Sequence, residues 1–401
     1  MSRRAEILFL AHRIPYPPDK GDKIRSWNLL RHFSGRYRVH LAAFVDDPVD
    51  FAHESFLKGV CETVYLEPLH PWRARLRSLG GFVGGGPLSF AYFRSAAMAR
   101  QVAKIRARAL AFEFAYSSSM APYIENRRGG RPRVIDLCDA DSEKWRDYAK
   151  AGRGPMKYVY RREATALAVE ETQIIGWADA AFAISEAEAR LLDVRSGARN
   201  LFVIGNGVDT DYFSPTAERT SPDGAADVVF VGAMDYAANI DAARWFAGDV
   251  WPAIRAAAPA TRFAIIGPRP SPAIKSLHGR NGIIVAGRVD DVRPWLQHAR
   301  VVIAPLRIAR GAPNKVLEAM AMARPVVATS AANAGIGAAP GGEILVADGA
   351  LEFANAVVGV LNDASRRQTI GDGARARILA DFGWSAQLGK LDTALKALGL
   401  D

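Results

Sequence analysis

Lys315 and Glu318 stand three residues apart in the run Pro313-Asn314-Lys315-Val316-Leu317-Glu318-Ala319-Met320. On a helix this spacing places a cation and a carboxylate on one face. Gly311 permits a close backbone approach just before them, and Pro313 suits a first helical turn, where its missing N–H costs nothing. The start of such a helix offers amide donors and the positive end of its dipole to an anion. A diphosphate beside the lysine, followed by a ribose whose hydroxyls donate to the carboxylate, is the chemistry this arrangement suits. A surface ion pair on an amphipathic helix is the alternative that spacing leaves open.

Other residues invite chemical readings with bland competitors. His12 follows a short apolar run and precedes a proline-rich loop, which makes it either a proton carrier at a sheet edge or an ordinary loop histidine. Asp139-Ala140-Asp141 and Asp209-Thr210-Asp211 match a metal-binding pair of aspartates, but the first follows a strand and the second lies in a turn-rich connection, so no metal is expected. Asp141 is read as lining a ligand site, or, with Ser142, as a helix N-cap. Ser117-Ser118-Ser119 lacks the glycines of a nucleophile elbow, which argues against a serine hydrolase. Cys61 and Cys138 form no ligand or disulfide pattern, so a reducing cytoplasm is the default compartment.

The elements that must position these groups alternate apolar runs with longer helical patterns, the rhythm of parallel sheets covered by helices. Strands are expected at 7–11, 39–43, 61–66, 114–116, 134–136, 180–183 and 201–204, then at 227–231, 262–266, 283–286, 301–304, 325–329 and 343–346. Asn206-Gly207-Val208-Asp209, Phe213-Ser214-Pro215 and a polar stretch to Ala226 separate the two series. The reading is α/β, with two Rossmann-like doubly wound domains facing across a cleft. The boundaries are 1–205 and 206–382, with a C-terminal helix over 383–401 expected to pack back on the first domain. Ile7 to Ala11 is too short for a signal-peptide core, and no window is apolar enough to span a membrane.

The net charge of +10 is unevenly placed: residues 1–205 hold 32 basic and 23 acidic side chains, and 206–401 hold 20 and 19. Trp72 to Arg108 carries eight cations and no acid, interleaved with Phe82, Phe90, Tyr92 and Phe93. Such a segment suits an anionic membrane surface, the alternative being a solvated helix face with a buried aromatic side. No helix-turn-helix, zinc or RNP signature accompanies the charge, so nucleic acid is not an expected partner.

The run Gly311 to Thr329, with Lys315, Glu318-Ala319-Met320-Ala321 and Pro325-Val326-Val327, resembles the nucleotide-sugar signature of glycosyltransferase family 4 and its GT-B relatives. Asn206 to Pro215 resembles the family's hinge, Val229-Phe230-Val231-Gly232 the first strand and turn of its donor domain, and Gly287-Arg288-Val289 its base-binding strand exit. Pro15 to Arg25, Asp139 to Trp145 and Pro305 to Gly311 resemble the sugar transferases of exosortase and exopolysaccharide systems.

The resemblance implies a metal-independent, retaining hexosyltransferase with no cofactor beyond its nucleotide-diphosphate sugar donor. It would be cytoplasmic and peripheral on the inner membrane face, with a glycolipid or oligosaccharide acceptor. By resemblance, Gly232, Asn239, Arg288, Arg310, Gly311, Asn314, Lys315 and Glu318 would contact the donor, Gly21 and Arg25 its phosphates from the first domain, and His12, Asp141 and Lys315 the reaction. A GT-B nucleotide-sugar epimerase is the alternative enzyme reading. Four positions depart from the family. Arg310 stands where a first glutamate is usual, with Asn314 and the backbone around Gly311 as candidate replacements. Two cations of the first donor loop fall near Ala233 and Ala238, and Ala323 replaces a helix-terminating glycine.

Overall fold

The computed structural model describes residues 4–18, 21–127, 129–151, 154–309 and 311–400. Asp19, Lys20 and the expected donor contact Arg310 lie outside the described residues. The chain divides into two units, Met1–Gly205 with Leu388–Asp401, and Asn206–Gln387.

The first unit is built on a parallel sheet of β1 (Glu6–Ala11), β2 (Arg38–Val45), β3 (Thr63–Pro68), β4 (Leu110–Tyr116), β5 (Arg133–Cys138), β6 (Ala180–Ala183) and β7 (Leu201–Val203). Their order is β3-β2-β1-β4-β5-β6-β7. Phe9, Phe33, Phe112 and Phe114 fill one face, and Leu8, Leu10, Met98 and Ile135 the other. Burial on both faces explains why these strands read as unbroken apolar runs. The third begins two residues later than its expected start, because Cys61 still closes the preceding helix, its N–H bonded to Leu57.

The second unit carries β8 (Val228–Val231), β9 (Phe263–Ile266), β10 (Ile283–Gly287), β11 (Val301–Ala304), β12 (Val326–Ala328) and β13 (Leu345–Val346), in the order β10-β9-β8-β11-β12-β13. In both sheets the order reverses beside the first strand of the series, which creates a switch point where the loops at the carboxyl ends diverge.

Helix Trp384–Ala397 ends against the first unit, where Leu391, Ala394 and Leu395 join the Phe9 core. Asp392 accepts from both Arg36 and His32 of the first helix, Gly21–Arg36, at 2.6 Å each. Among the described residues no helix is long and apolar enough to cross a membrane.

Candidate active site

The donor-side residues converge where β8 and β11 deliver their loops. Gly232 follows β8, and a Cβ there would lie 2.7 Å from both Lys315 Nζ and Asn239 Nδ2. The next loop presses from behind: a Cβ on Gly267 would sit 1.7 Å from the Gly232 carbonyl oxygen. Two glycines therefore let two strand exits and a lysine share one small volume. Gly311 takes φ +61, and Gly335 closes on its carbonyl so tightly that a Cβ would approach to 2.0 Å.

Lys315 and Glu318 lie on helix Asn314–Ala321, whose Val316, Leu317, Ala319 and Met320 are buried. Pro313 takes the N-cap position rather than the first turn, with φ −67 and ψ 119. The Lys315 ammonium donates to Asn239 Oδ1 and lies 4.8 Å from the Phe230 ring centre. It bonds to Asn239 and not to Glu318, so the surface ion pair open at the level of spacing does not form. Both side chains sit deep among protein atoms, though each keeps some surface open to water. Desolvation lowers Lys315 to about 8, against the opposing charge of Glu318. Desolvation likewise raises the Glu318 carboxyl to about 7, against Lys315.

Asn239 is buried in helix Ala237–Trp245, held by its own donation to Ala233 O. Asn314 opens the helix that carries Lys315, and Arg288 stands exposed beyond β10. Sequence reasoning missed two guanidinium groups at this sheet edge. Arg269, after β9, forks onto Asp235, and Arg307, after β11, forks onto Asp241. They fall outside the donor motif, and only the closeness of the strand ends reveals them.

The first unit gathers another cluster at its carboxyl edge. His12, just past β1, stacks on Tyr116 with centres 5.6 Å apart and meets the edge of Phe93. Its Nε2 is 3.5 Å from Asp22 Oδ2, and its Nδ1 is buried with no partner among the described residues. Arg13 bridges Asp22 and Asp46. Burial alone would raise the Asp22 carboxyl, but the His12 contact and the Arg13 charge outweigh it and hold it well below the usual range.

Asp141 begins helix Asp141–Ala151, with Ser118 Oγ at 3.5 Å. Desolvation, with Asp139 adding, pushes its carboxyl up against the charge of Lys144. Neither Asp141 nor Ser142 caps this helix. Its first amides are taken by buried carboxylates of two later helices: Ala140 N–H by Glu188 at 2.7 Å, and Ser142 N–H by Glu171 at 2.9 Å.

Two expectations for this unit change. Arg25, read as a phosphate contact, is 1% exposed and forked onto Asp136 at 2.8 and 3.2 Å, with Gly205 O at 3.0 Å. A guanidinium so enclosed serves the core and is out of reach of a ligand. Gly21 opens helix Gly21–Arg36 instead of lying in a loop, with open space where a Cβ would project. Asp209 accepts from the amides of Asp211 and Tyr212, an ordinary turn. Among the described residues no group of three or more His, Cys, Asp or Glu is placed to hold a metal ion.

Residues 225–363, which contain the whole Gly232–Asn239–Lys315–Glu318 cluster, match the family described as Glycosyl transferases group 1. The second unit carries a group 1 glycosyltransferase domain. The whole chain has the GT-B fold. It is similar to Anabaena Alr3699/HepE in complex with UDP, at 18% identity and a TM-score of 0.65, covering 98% of this chain and 100% of that one. It is also similar to the sucrose-phosphate synthase of Thermosynechococcus elongatus, at 17% and 0.69, with 98% and 100% covered. A glycosyltransferase from Rickettsia africae follows at 12% and 0.64, with 98% and 99% covered. No curated protein matches the chain. In the glycosyltransferase domain, then, Lys315, beside Gly232 just past β8, lies at the carboxyl edge of the sheet, where open α/β folds bind their ligands.

Proposed function

We propose that the chain is a retaining, metal-independent glycosyltransferase that moves a sugar from a nucleotide-diphosphate sugar to a lipid-linked exopolysaccharide precursor. It would work in the cytoplasm, peripheral on the inner face of the membrane. The observation that carries the donor reading is the Lys315 ammonium, set beside side-chain-free Gly232 at the start of a helix. The acceptor and compartment rest on the sequence motifs and the uneven charge.

In the transfer, the bond between the anomeric carbon and the β-phosphate oxygen breaks while the acceptor oxygen bonds to the same carbon on the same face. The acceptor proton passes to the departing phosphate. Charge therefore builds on the leaving diphosphate, where preorganised donors are most effective. Lys315 and the first amides of its helix supply them, and Gly232 lets the phosphates approach the backbone. Glu318 accepts from the ribose hydroxyls, and Arg288 borders the base. On the acceptor side, His12 and Asp141 are the groups able to orient a hydroxyl or relay its proton.

A thermal-shift panel of UDP-, GDP- and ADP-sugars tests the donor site. UDP-sugars come first, since the HepE structures include complexes with UDP and with UDP-glucose. At about 100 times its dissociation constant a ligand adds about 2.7 kcal/mol, or roughly 5–10 °C for a domain of this size. Lys315→Ala should abolish the shift. If no nucleotide sugar raises the midpoint, the reading fails.

A further inference from the structure

The helix Pro71–Gly84 is built inside out. Its small residues face the protein, with Ala74 and Gly81 buried, while Trp72, Leu76 and Leu79 are 61%, 60% and 57% exposed. Those three recur at i, i+4 and i+7, one stripe along a helix. Phe82 at its end is 45% exposed. Arg73, Arg75 and Arg77 flank the stripe, and the helix contains no acid. Large apolar side chains held in water on one face of a cationic helix need a partner.

A second element packs against the end of this helix. Arg162, in helix Met156–Trp177, donates to Gly81 O and Gly86 O, and its guanidinium stacks 4.9 Å from the Phe82 ring. Beside it, Glu163 takes the amides of Leu88 and Ser89 at 2.7 and 2.9 Å. One turn earlier on that helix, Met156 and Tyr158 are 49% and 65% exposed. Tyr158 lines a hollow of about 540 Å³ whose described lining includes Arg146, Lys150, Lys157 and Arg161, of which Arg146 pairs with Glu143 and Lys150 with Asp147.

Part of the remaining basic stretch serves the fold, while Arg94, Arg100 and Lys104 stay exposed. In helix Ala96–Arg106, Met98, Val102 and Ile105 are buried, Arg106 forks onto buried Glu113, and Arg108 pairs with Glu6. The cationic, apolar surface is therefore smaller than Trp72 to Arg108, and it includes a helix outside that stretch.

We propose that the outer face of helix Pro71–Gly84, together with the Met156–Arg161 turn, is an in-plane docking surface for an anionic lipid bilayer. Tryptophan and tyrosine suit the headgroup boundary, leucines reach the acyl region, and the arginines and lysines meet the headgroup charge. A second copy of the chain fits poorly, because a self-complementary pairing would set two acid-free rows of arginine against each other. The surface deepens the proposed use of a lipid-linked acceptor and rests on it for purpose, but it is tested apart from the donor site.

The experiment is co-sedimentation of the full chain with vesicles of phosphatidylcholine alone or with about 30% phosphatidylglycerol, at about 0.15 M salt. The wild type is expected to pellet with the anionic vesicles and remain in solution with the neutral ones. L76D/L79D should weaken the anionic partition at least tenfold, and R73E/R75E by a similar factor, with circular dichroism and the nucleotide-sugar thermal shift unchanged. A wild type that ignores both vesicles overturns the proposal, as does an L76D/L79D variant that pellets like the wild type. Sedimentation velocity showing a dimer that L76D/L79D disperses would assign the face to a second copy instead. A chain that docks without answering any nucleotide sugar would sink only the donor reading.

Discussion

On the proposed donor site, Lys315 should make donor affinity a function of pH in a range where an ordinary lysine is silent. Its ammonium is enclosed by Asn239, Phe230 and the Gly232 backbone, and desolvation brings it to about 8. An unperturbed lysine titrates near 10.4, so between pH 7 and 9 it would stay charged and a diphosphate would see no change. With a value of about 8, roughly nine in ten sites are charged at pH 7 and one in eleven at pH 9. If the bound state requires the cation, affinity falls about tenfold over that interval. Glu318, raised to about 7, works in the opposite sense: on the proposed reading its ionised form would accept the ribose hydroxyls, so affinity should also fall below pH 7.

The expected profile is a narrow maximum between about pH 7 and 8, measured calorimetrically with a UDP-sugar at constant ionic strength. A sugar nucleotide is the right probe because its diphosphate, esterified at both ends, gains or loses no proton in this range. Lys315→Arg keeps its charge throughout and should flatten the alkaline limb, and Glu318→Gln should flatten the acidic one. A wild-type profile flat from pH 7 to 9 would refute the assignment of Lys315 to the diphosphate.

Three further outcomes concern stability and can be read by chemical or thermal denaturation. Asp136→Asn removes the carboxylate from the buried Arg25–Asp136 pair and should cost about 3–5 kcal/mol, so an unmoved midpoint would contradict that pair. Ala323 holds φ +53 just past the Lys315 helix, so Ala323→Gly should relieve strain and stabilise by about 1 kcal/mol, seen as a midpoint raised by about 2–4 °C. Glu6 is bonded to Arg108 and His40 and lies near Arg38, and although burial opposes them they lower its carboxyl to about 2. Its contribution is whole above its unfolded value near 4.5 and fades as pH falls towards 2, so Glu6→Gln should destabilise at pH 7 and lose that difference under acid.

What the sequence disclosed follows from which forces are local. Strand positions were legible because buried parallel strands need unbroken apolar runs, as at Ile7 to Ala11 and Val301 to Ala304. That Gly232 and Lys315 would matter together was legible because each sits in a short contiguous motif, Val229 to Gly232 and Gly311 to Thr329, and the fold brings the two together. Arg25 misled because its partner Asp136 lies 111 residues away, and nothing near Arg25 shows that a carboxylate will enclose it. The Pro71–Gly84 helix hid its orientation for a related reason. Periodicity reveals that Trp72, Leu76 and Leu79 share a face, but whether that face meets protein or water depends on packing by distant segments such as Arg162.

The same distinction bears on the cations this donor domain lacks after β8. Arg269 and Arg307 stand at neighbouring strand exits and would be natural substitutes for a charge missing at Ala233 and Ala238. Each is already forked onto an aspartate, Asp235 or Asp241. A diphosphate would have to displace a carboxylate to gain from either, and both pairs are largely exposed, where attraction is screened. Among the described residues Lys315 has no such rival, since its hydrogen bond is to the neutral Asn239 amide and it forms no ion pair with Glu318. Donor affinity should therefore follow the protonation of this one enclosed ammonium more closely than the number of arginines along the sheet edge.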